Sequence, residues 1–283
     1  MSSNPESPIP NPDPSIAFIG GGNMARSLIG ALVRGGGDAS TIAVAEPNEA
    51  TRDALARDFG VTTHARAADA ARGAATIVLA VKPQVMKAVC AEIAETVAAT
   101  RPLILSIAAG IRLEQFARWL GAGAPVVRAM PNTPALIGAG ASGLVANEAV
   151  TPEQRERAAN ILGAAGIAAW IEREDLMDTV TALSGSGPAY FFLLVEALVD
   201  AAVAQGLPNE VARALAAQTC LGAGRMLVED GEAPATLRER VTSPSGTTAA
   251  ALDTFAAGNL RGLVTKAVDA ATRRGGELSA QLD

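Results

Sequence analysis

Histidine, cysteine and aromatic residues are scarce in this chain of 283 residues, and each scarcity excludes a kind of site. The single histidine, His64, excludes every metal site built from several histidines, and it allows a Ser-His-Asp apparatus only if His64 is the base. Two cysteines, Cys90 and Cys220, cannot form a zinc cluster or a disulfide framework. They suit a reducing compartment and predict a cytoplasmic protein without a metal.

Clustered positive charge and long apolar runs are missing too. The net charge is −6 and no run of Lys or Arg occurs, which argues against a nucleic-acid surface. No apolar run reaches the ~18 uninterrupted residues of a membrane span. Residues 1–14 lack the basic start and apolar stretch of a signal peptide and predict a disordered tail. We therefore expect neither nucleic acid nor a membrane as a partner.

Short apolar strands alternate with helical patterns over residues 15–172. The predicted strands are 16–19, 42–45, 77–81, 103–107, 126–130, 142–146 and 168–171. The predicted helices between the early strands are 24–34, 50–57, 85–98 and 113–120. Because near-continuous apolar strands separated by helices form parallel sheets covered on both faces, we predict an α/β domain with a Rossmann-type, doubly wound, mostly parallel sheet.

No convincing strand occurs over residues 173–283, which predict an all-helical C-terminal domain. Its predicted helices are 176–183, 189–205, 210–229, 235–241, 248–257 and 260–273. The segment 189–205 is apolar almost all round, with strongly polar residues only at Glu196, Asp200 and Gln205. Such a helix must be buried on more than one side, so we expect a homodimer or higher homo-oligomer formed through this domain.

A glycine-rich turn follows the first predicted strand and opens a helix. Gly20, Gly22 and Ala25 fit the pattern G-x-G-x-x-A. In that pattern the residues give a tight turn, close approach of the backbone to a pyrophosphate, and close helix–strand packing. A plain glycine turn is the alternative, but the strand–turn–helix context favours a dinucleotide site that also includes Asn23 and Met24.

An acidic residue, Glu46, follows the second predicted strand at close to the ~20-residue spacing of the acid that binds the adenosine ribose. A carboxylate there favours NADH over NADPH. A solvated loop glutamate is the alternative, with Arg52 and Arg66 near enough in sequence to contact a phosphate instead. We interpret His64 as a surface loop residue.

Loops after the next strands fall at the edge where doubly wound sheets bind their ligands. The expected nicotinamide and ribose contacts are Ala80, Val81, Lys82, Pro83, Ala108, Gly110 and Asn132. The alternative for each of them is an ordinary loop residue with no part in nucleotide binding.

Two segments rich in Ser, Thr and Gly precede helices of the C-terminal half: LSGSGPAY at 183–190 and VTSPSGTT at 241–248. Free backbone N–H groups and hydroxyls at a helix start suit a small carboxylate. Ordinary Ser/Thr capping is the alternative reading of either segment alone.

Taken together, the motifs resemble the pyrroline-5-carboxylate reductase family over residues 15–275. They are IGGGNMA at 19–25, AVKPQ at 80–84, SIAAG at 106–110, RAMPNTP at 128–134, LSGSGPAY at 183–190 and VTSPSGTT at 241–248. The resemblance implies hydride transfer from NADPH or NADH to the C=N bond of a cyclic imine carboxylate, giving L-proline.

The resemblance also implies roles for the second set of motifs. Thr248 would be the catalytic hydrogen-bond partner of the imine nitrogen, and Ser184, Ser243, Gly246 and Thr247 would help to bind the substrate. The family commonly has two glycines after the Ser-Pro pair, whereas this chain has Ser245 at the first position. Glu46 is also not a typical choice of the family.

Two other functions compete with this one. A dehydrogenase of the β-hydroxyacid type would share the first domain, but it uses a lysine at the start of the long interdomain helix, and residues 184–205 contain none. A non-catalytic nucleotide-binding sensor would keep the glycine turn but has no need of the SPSGTT segment.

Overall fold

The computed structural model describes residues 16–282 and divides into two compact units. Of the described residues, 16–185 and 273–282 belong to the first unit, and Ser186–Thr272 form the second. The division therefore differs from the boundary expected at residue 172, because the chain leaves the first unit after Gly185 and returns to it at Arg273. The tail expected at residues 1–14 lies outside the described residues.

An eight-stranded sheet forms the centre of the first unit. Its strands are β1 Ile16–Ile19, β2 Ile42–Ala45, β3 Thr62–His64, β4 Thr76–Leu79, β5 Leu103–Ser106, β6 Val126–Met130, β7 Gly140–Ala146 and β8 Gly166–Trp170. Their order is β3-β2-β1-β4-β5-β6-β7-β8. Neighbours are parallel except for β6 and β7. The predicted Rossmann-type, mostly parallel sheet is confirmed.

Helices cover the two faces of this sheet. They are α1 Asn23–Arg34, α2 Glu49–Phe59, α3 Ala67–Ala71, α4 Pro83–Thr100, α5 Leu113–Leu120, α6 Pro152–Gly163 and α7 Met177–Val180. Alternation along β1 sends Phe18 into one apolar cluster with Leu28 of α1, and Ile19 into a second cluster with Met86 and Ile93 of α4. Because both faces are buried, the strands read as continuous apolar runs.

One strand and two α-helices of the first unit were not predicted from the sequence. β3 is a short edge strand of two threonines and His64, without the apolar run that identifies the other strands. The assignment of His64 to a loop was wrong, because this half-buried residue ends β3. The five-residue helix α3 and the helix α6 were also missed.

The described part of the second unit is helical, as predicted. Its helices are α8 Gly187–Ala204, α9 Asn209–Glu229, α10 Pro234–Arg240, α11 Thr247–Ala257 and α12 Leu260–Ala280. α12 extends seven residues beyond its predicted end and so passes into the first unit. By length and composition, the helical stretch Glu174–Ala204 could cross a membrane. Little of that stretch is buried within the chain, since consecutive side chains such as Phe191, Phe192 and Leu193 are exposed.

Candidate active site

The glycine-rich turn between β1 and α1 has one glycine that the fold requires and one that faces open space. Gly20 has φ = +105°, and a Cβ added there would lie 2.7 Å from the carbonyl oxygen of Ala80. Gly22 is exposed, and a Cβ added there would meet nothing within 4 Å. The turn therefore leaves open space directly before the first residue of α1.

The start of α1 is equipped for an anion. Gly22 is the N-cap residue and provides no side-chain hydrogen bond, so the first amides of α1 are free of a capping side chain. Asn23 and Met24 form the first turn, while Ala25 is buried and packs in the first cluster. Unsatisfied N–H groups and the helix dipole attract phosphate at such a position. This arrangement fits the pyrophosphate of a dinucleotide.

The Glu46 carboxylate joins the glycine turn to the end of β2. Its Oε2 accepts a hydrogen bond from the Gly21 N–H at 3.0 Å, and its Oε1 accepts one from the Asn48 N–H at 3.0 Å. The Arg52 guanidinium donates to the backbone carbonyls of Glu46 and Pro47, each at 2.8 Å. Glu46 thus lies at the turn, as expected of a ribose-binding acid, and also holds the turn in shape.

The parallel strands bring the other predicted contacts to the same sheet edge as the turn. Val81 Cγ1 lies 3.1 Å from the position of a Cβ on Gly20, so the segment Ala80–Pro83 borders the glycine turn directly. Lys82 is exposed at the N-cap position of α4, and Ala108 is half-buried after β5. Gly110, with φ = +81°, packs instead against the end of α12.

Asn132 connects two of the motifs within the first unit. It is buried, its Nδ2 donates to the Ser184 carbonyl at 3.0 Å, and its Oδ1 accepts from the Ala141 N–H at 2.9 Å. Ser184 lies in a π-helical turn, Thr181–Gly185, and its own hydroxyl donates to the Val180 carbonyl. The Asn132 side chain therefore positions the LSGSGP segment. π-Turns of this kind often occur at functional sites.

The VTSPSGTT segment of the second unit forms a tight turn before α11. The Gly246 N–H donates to the Ser243 carbonyl at 3.0 Å, and a Cβ on Gly246 would lie 2.6 Å from the Ser243 Oγ. Ser245 adopts φ = +60°, a left-handed conformation that glycine takes more easily. Gly246 caps α11 without a side-chain hydrogen bond, so Thr247 and half-buried Thr248 present amides and hydroxyls together.

Three buried groups were not among the predicted site residues: Cys90, Arg128 of the RAMPNTP segment, and Gln115. Burial raises the pKa of the Cys90 thiol to about 12, which excludes it as a nucleophile at neutral pH. Arg128 is buried and ion-paired with Glu174. Gln115 is fully buried and was missed from the sequence, because Arg112, three residues before it at the start of α5, is not one of the N-cap residues that mark a capping box.

The fold and this turn define the class of protein: an oxidoreductase with a Rossmann-type nucleotide-binding domain. A family model described as "NADP oxidoreductase coenzyme F420-dependent" matches residues 15–110, and one described as "Pyrroline-5-carboxylate reductase dimerisation" matches residues 174–278. The pyrroline-5-carboxylate reductase of Pseudomonas aeruginosa is 49% identical over 95% of this chain and 98% of its own. That of Vibrio alginolyticus is 44% identical over 93% of this chain and 97% of its own.

Solved structures agree with this class. A pyrroline-5-carboxylate reductase from Coxiella burnetii superposes with a TM-score of 0.92 at 43% identity, covering 94% of this chain and 98% of the other. The Plasmodium falciparum enzyme, solved with NADP bound, superposes with a TM-score of 0.81 at 27% identity over 94% and 98% of the two chains. The chain belongs to the pyrroline-5-carboxylate reductase family.

Proposed function

We propose that this chain reduces 1-pyrroline-5-carboxylate to L-proline with NADPH or NADH, the last step of proline biosynthesis. The observation that carries the proposal is the presence in one chain of an open glycine turn for a dinucleotide and a hydroxyl-rich helix start for a small carboxylate. The near full-length similarity to pyrroline-5-carboxylate reductases supports it.

The cofactor would be held by residues of the first unit. The open space at Gly22 and the uncapped amides of α1 fit a pyrophosphate, and Glu46 lies beside them. The segment Ala80–Pro83 would line the same edge. When bound, the reduced nicotinamide supplies the hydride. The contribution of this chain is to hold the reactants in position, which accounts for a large part of catalysis in such reactions.

The substrate would be held by the helix starts of the LSGSGP and SPSGTT segments. The backbone from Ser243 to Thr247 binds the carboxylate, and Ser184, in the LSGSGP segment, also helps to bind the substrate. The Thr248 hydroxyl forms the hydrogen bond to the imine nitrogen, and the imine carbon becomes more electrophilic as that nitrogen gains a proton. His64 is not the proposed proton donor, since it lies beside Glu46, whose N–H donates to the His64 carbonyl, at the end of the site expected to bind the adenosine ribose. A hydroxyl or a bound water remains as the proton source.

The helical unit pairs with a second copy of this chain. The exposed apolar side chains of α8 lie within the segment that matches the dimerisation model, and burial against a partner removes them from water. This pairing also accounts for the apolar stretch Glu174–Ala204 without a membrane. A cytoplasmic location is part of the proposal, supported by the two free cysteines.

A steady-state assay tests the proposal. Purified protein should oxidise NADPH or NADH, followed by absorbance, only when 1-pyrroline-5-carboxylate is present, and L-proline should accumulate in equal amount. A β-hydroxyacid as the only substrate should give no reduction of the oxidised cofactors. Folded protein that binds a nucleotide but turns over neither substrate would instead support the sensor function.

A further inference from the structure

The last described turn of the chain, Ser279–Leu282, packs on the loop that follows β5. A Cβ added to Gly110 would lie 2.9 Å from Leu282 Cδ1 and 3.5 Å from the Ser279 Oγ. Leu282 also packs against the second apolar cluster, in which Ala108 takes part. The contact therefore covers the part of the SIAAG segment that ends at Gly110.

The side-chain amide of Gln115 holds this contact in place through both of its polar atoms. Its Oε1 accepts a hydrogen bond from the Arg112 N–H at 2.7 Å, and its Nε2 donates to the Leu282 carbonyl at 2.9 Å. The side chain is fully buried, so losing either bond would leave a polar group unpaired away from water. One amide thus joins the start of α5 to a carbonyl 167 residues away in sequence.

We propose that Leu282 and Gln115 are positioning residues for the loop Ser106–Gly110, and that they set the affinity for the nicotinamide nucleotide. The inference rests on the proposed function, because that loop is expected to border the nucleotide. The loop carries few internal constraints: the Ala108 N–H contacts the Ser106 Oγ only at 3.4 Å, and Gly110 is in the left-handed region. Packing from Leu282 supplies the constraint that the loop itself lacks.

Leu282→Ala tests this inference, with Leu282→Met as the conservative variant and Gln281→Ala, an exposed neighbour in the same turn, as the matched control. Binding of NADPH and NADH is measured by calorimetry without imine, and steady-state kinetics give KM and kcat. We expect Leu282→Ala to raise the nucleotide Kd and KM about two- to thirtyfold, the range of coupling through packed side chains, with kcat at saturating nucleotide nearly unchanged. Leu282→Met and Gln281→Ala should bind like the unmodified protein.

Gln115→Met supplies a second variant, since it removes the donor to the Leu282 carbonyl while keeping the length of the side chain. It should raise the nucleotide Kd in the same direction. An unchanged Kd and KM in folded Leu282→Ala, even with a lower melting temperature, would overturn the inference and leave the proposed reaction standing. A raised Kd in a protein without imine-dependent turnover would overturn the proposed reaction alone. No nucleotide binding by the unmodified protein would overturn both.

Discussion

Two glycines of one turn, Gly20 and Gly22, are required for different reasons. Gly20 has a positive φ and touches the Ala80 carbonyl, so Gly20→Ala should destabilise the first unit by about 1–3 kcal/mol. Gly22 has φ = −69° and open space around it, so Gly22→Val should leave the melting temperature unchanged. It should weaken nucleotide binding by about tenfold for each charge-assisted hydrogen bond lost. Calorimetric titration checks this, and a Gly22→Val protein that binds normally would contradict the proposed pyrophosphate position.

Thr248 is the residue for which a catalytic role is proposed. Thr248→Ala should lower kcat/KM by about tenfold to a thousandfold without unfolding the protein, because it removes a hydrogen bond to the reacting nitrogen. Thr248→Ser keeps the hydroxyl and should retain most of the activity. Thr254→Ala on the same helix is the control, since the Thr254 hydroxyl donates only to the Ala250 carbonyl. Unchanged kinetics in Thr248→Ala would refute the assignment.

Glu46 combines a charge with two hydrogen bonds to the backbone, and the two contributions can be separated. Glu46→Ser removes the charge expected to repel the 2′-phosphate, so the ratio of kcat/KM for NADPH to that for NADH should rise. Because Gly21 and Asn48 lose their acceptor, kcat/KM with both nucleotides should also fall. Glu49→Ser, an exposed residue in the first turn of α2, is the control. A fall with an unchanged ratio would show that Glu46 only shapes the turn.

At the scale of elements, the segment before α11 holds a serine where glycine fits better. The left-handed conformation of Ser245 costs about 1–2 kcal/mol, and glycine would remove this strain. Part of the gain is offset, because glycine also gives the unfolded chain more conformational freedom. Ser245→Gly should therefore stabilise the protein by up to about 1 kcal/mol in urea unfolding at fixed protein concentration. Ala251→Gly within α11 should destabilise it by about 1 kcal/mol. A lower midpoint for Ser245→Gly would contradict the strain.

Elements with an apolar period could be predicted from the sequence, and those shaped by contacts could not. The strands β1, β2 and β6 and the helix α5 fall where their patterns placed them, because both faces of the sheet are buried. β3 is an edge strand without a buried run, so its sequence carries no such signal. The sequence of α6 did carry a signal of another kind, the capping box formed by Thr151 and Gln154.

Long-range contacts explain the remaining differences. The last helix was predicted to end at Arg273, yet α12 continues through Gly275 and Gly276 to Ala280. A Cβ on Gly275 would lie 3.1 Å from the Asp178 Oδ1, so glycine at this position favours close packing of the end of α12 against α7. The positions of Gly20, Gly22 and Glu46 could be predicted from their spacing. The pairing of Asn132 with Ser184 could not, because it depends on a π-turn that has no sequence period.

At the scale of the whole molecule, the chain passes between its two compact units twice, after Gly185 and again before Arg273. The first passage follows the π-turn held by Asn132, and the second leads to the turn held by Gln115. A buried side-chain amide therefore holds the chain just before it leaves the first unit and again near the end of the segment that returns to it.

At the same scale, we expect the exposed apolar surface of α8 to form the contact between copies of the chain. Phe192 is 69% exposed and Leu193 is 65% exposed in the single chain, on a helix that lacks a strongly polar face. Covering such side chains contributes about 1.5–3 kcal/mol each, so a second copy is strongly favoured. Light scattering at micromolar concentration should give a dimeric or larger mass for the unmodified protein.

Phe192→Glu should shift this mass toward the monomer and lower activity, because it places a charge in the middle of the apolar surface. Ala99→Glu, which adds the same charge to an exposed position of α4 in the first unit, should leave both mass and activity unchanged. Circular dichroism confirms that each variant keeps its helices. A monomeric mass for the unmodified protein with full activity would show that the exposed face of α8 is not the assembly surface.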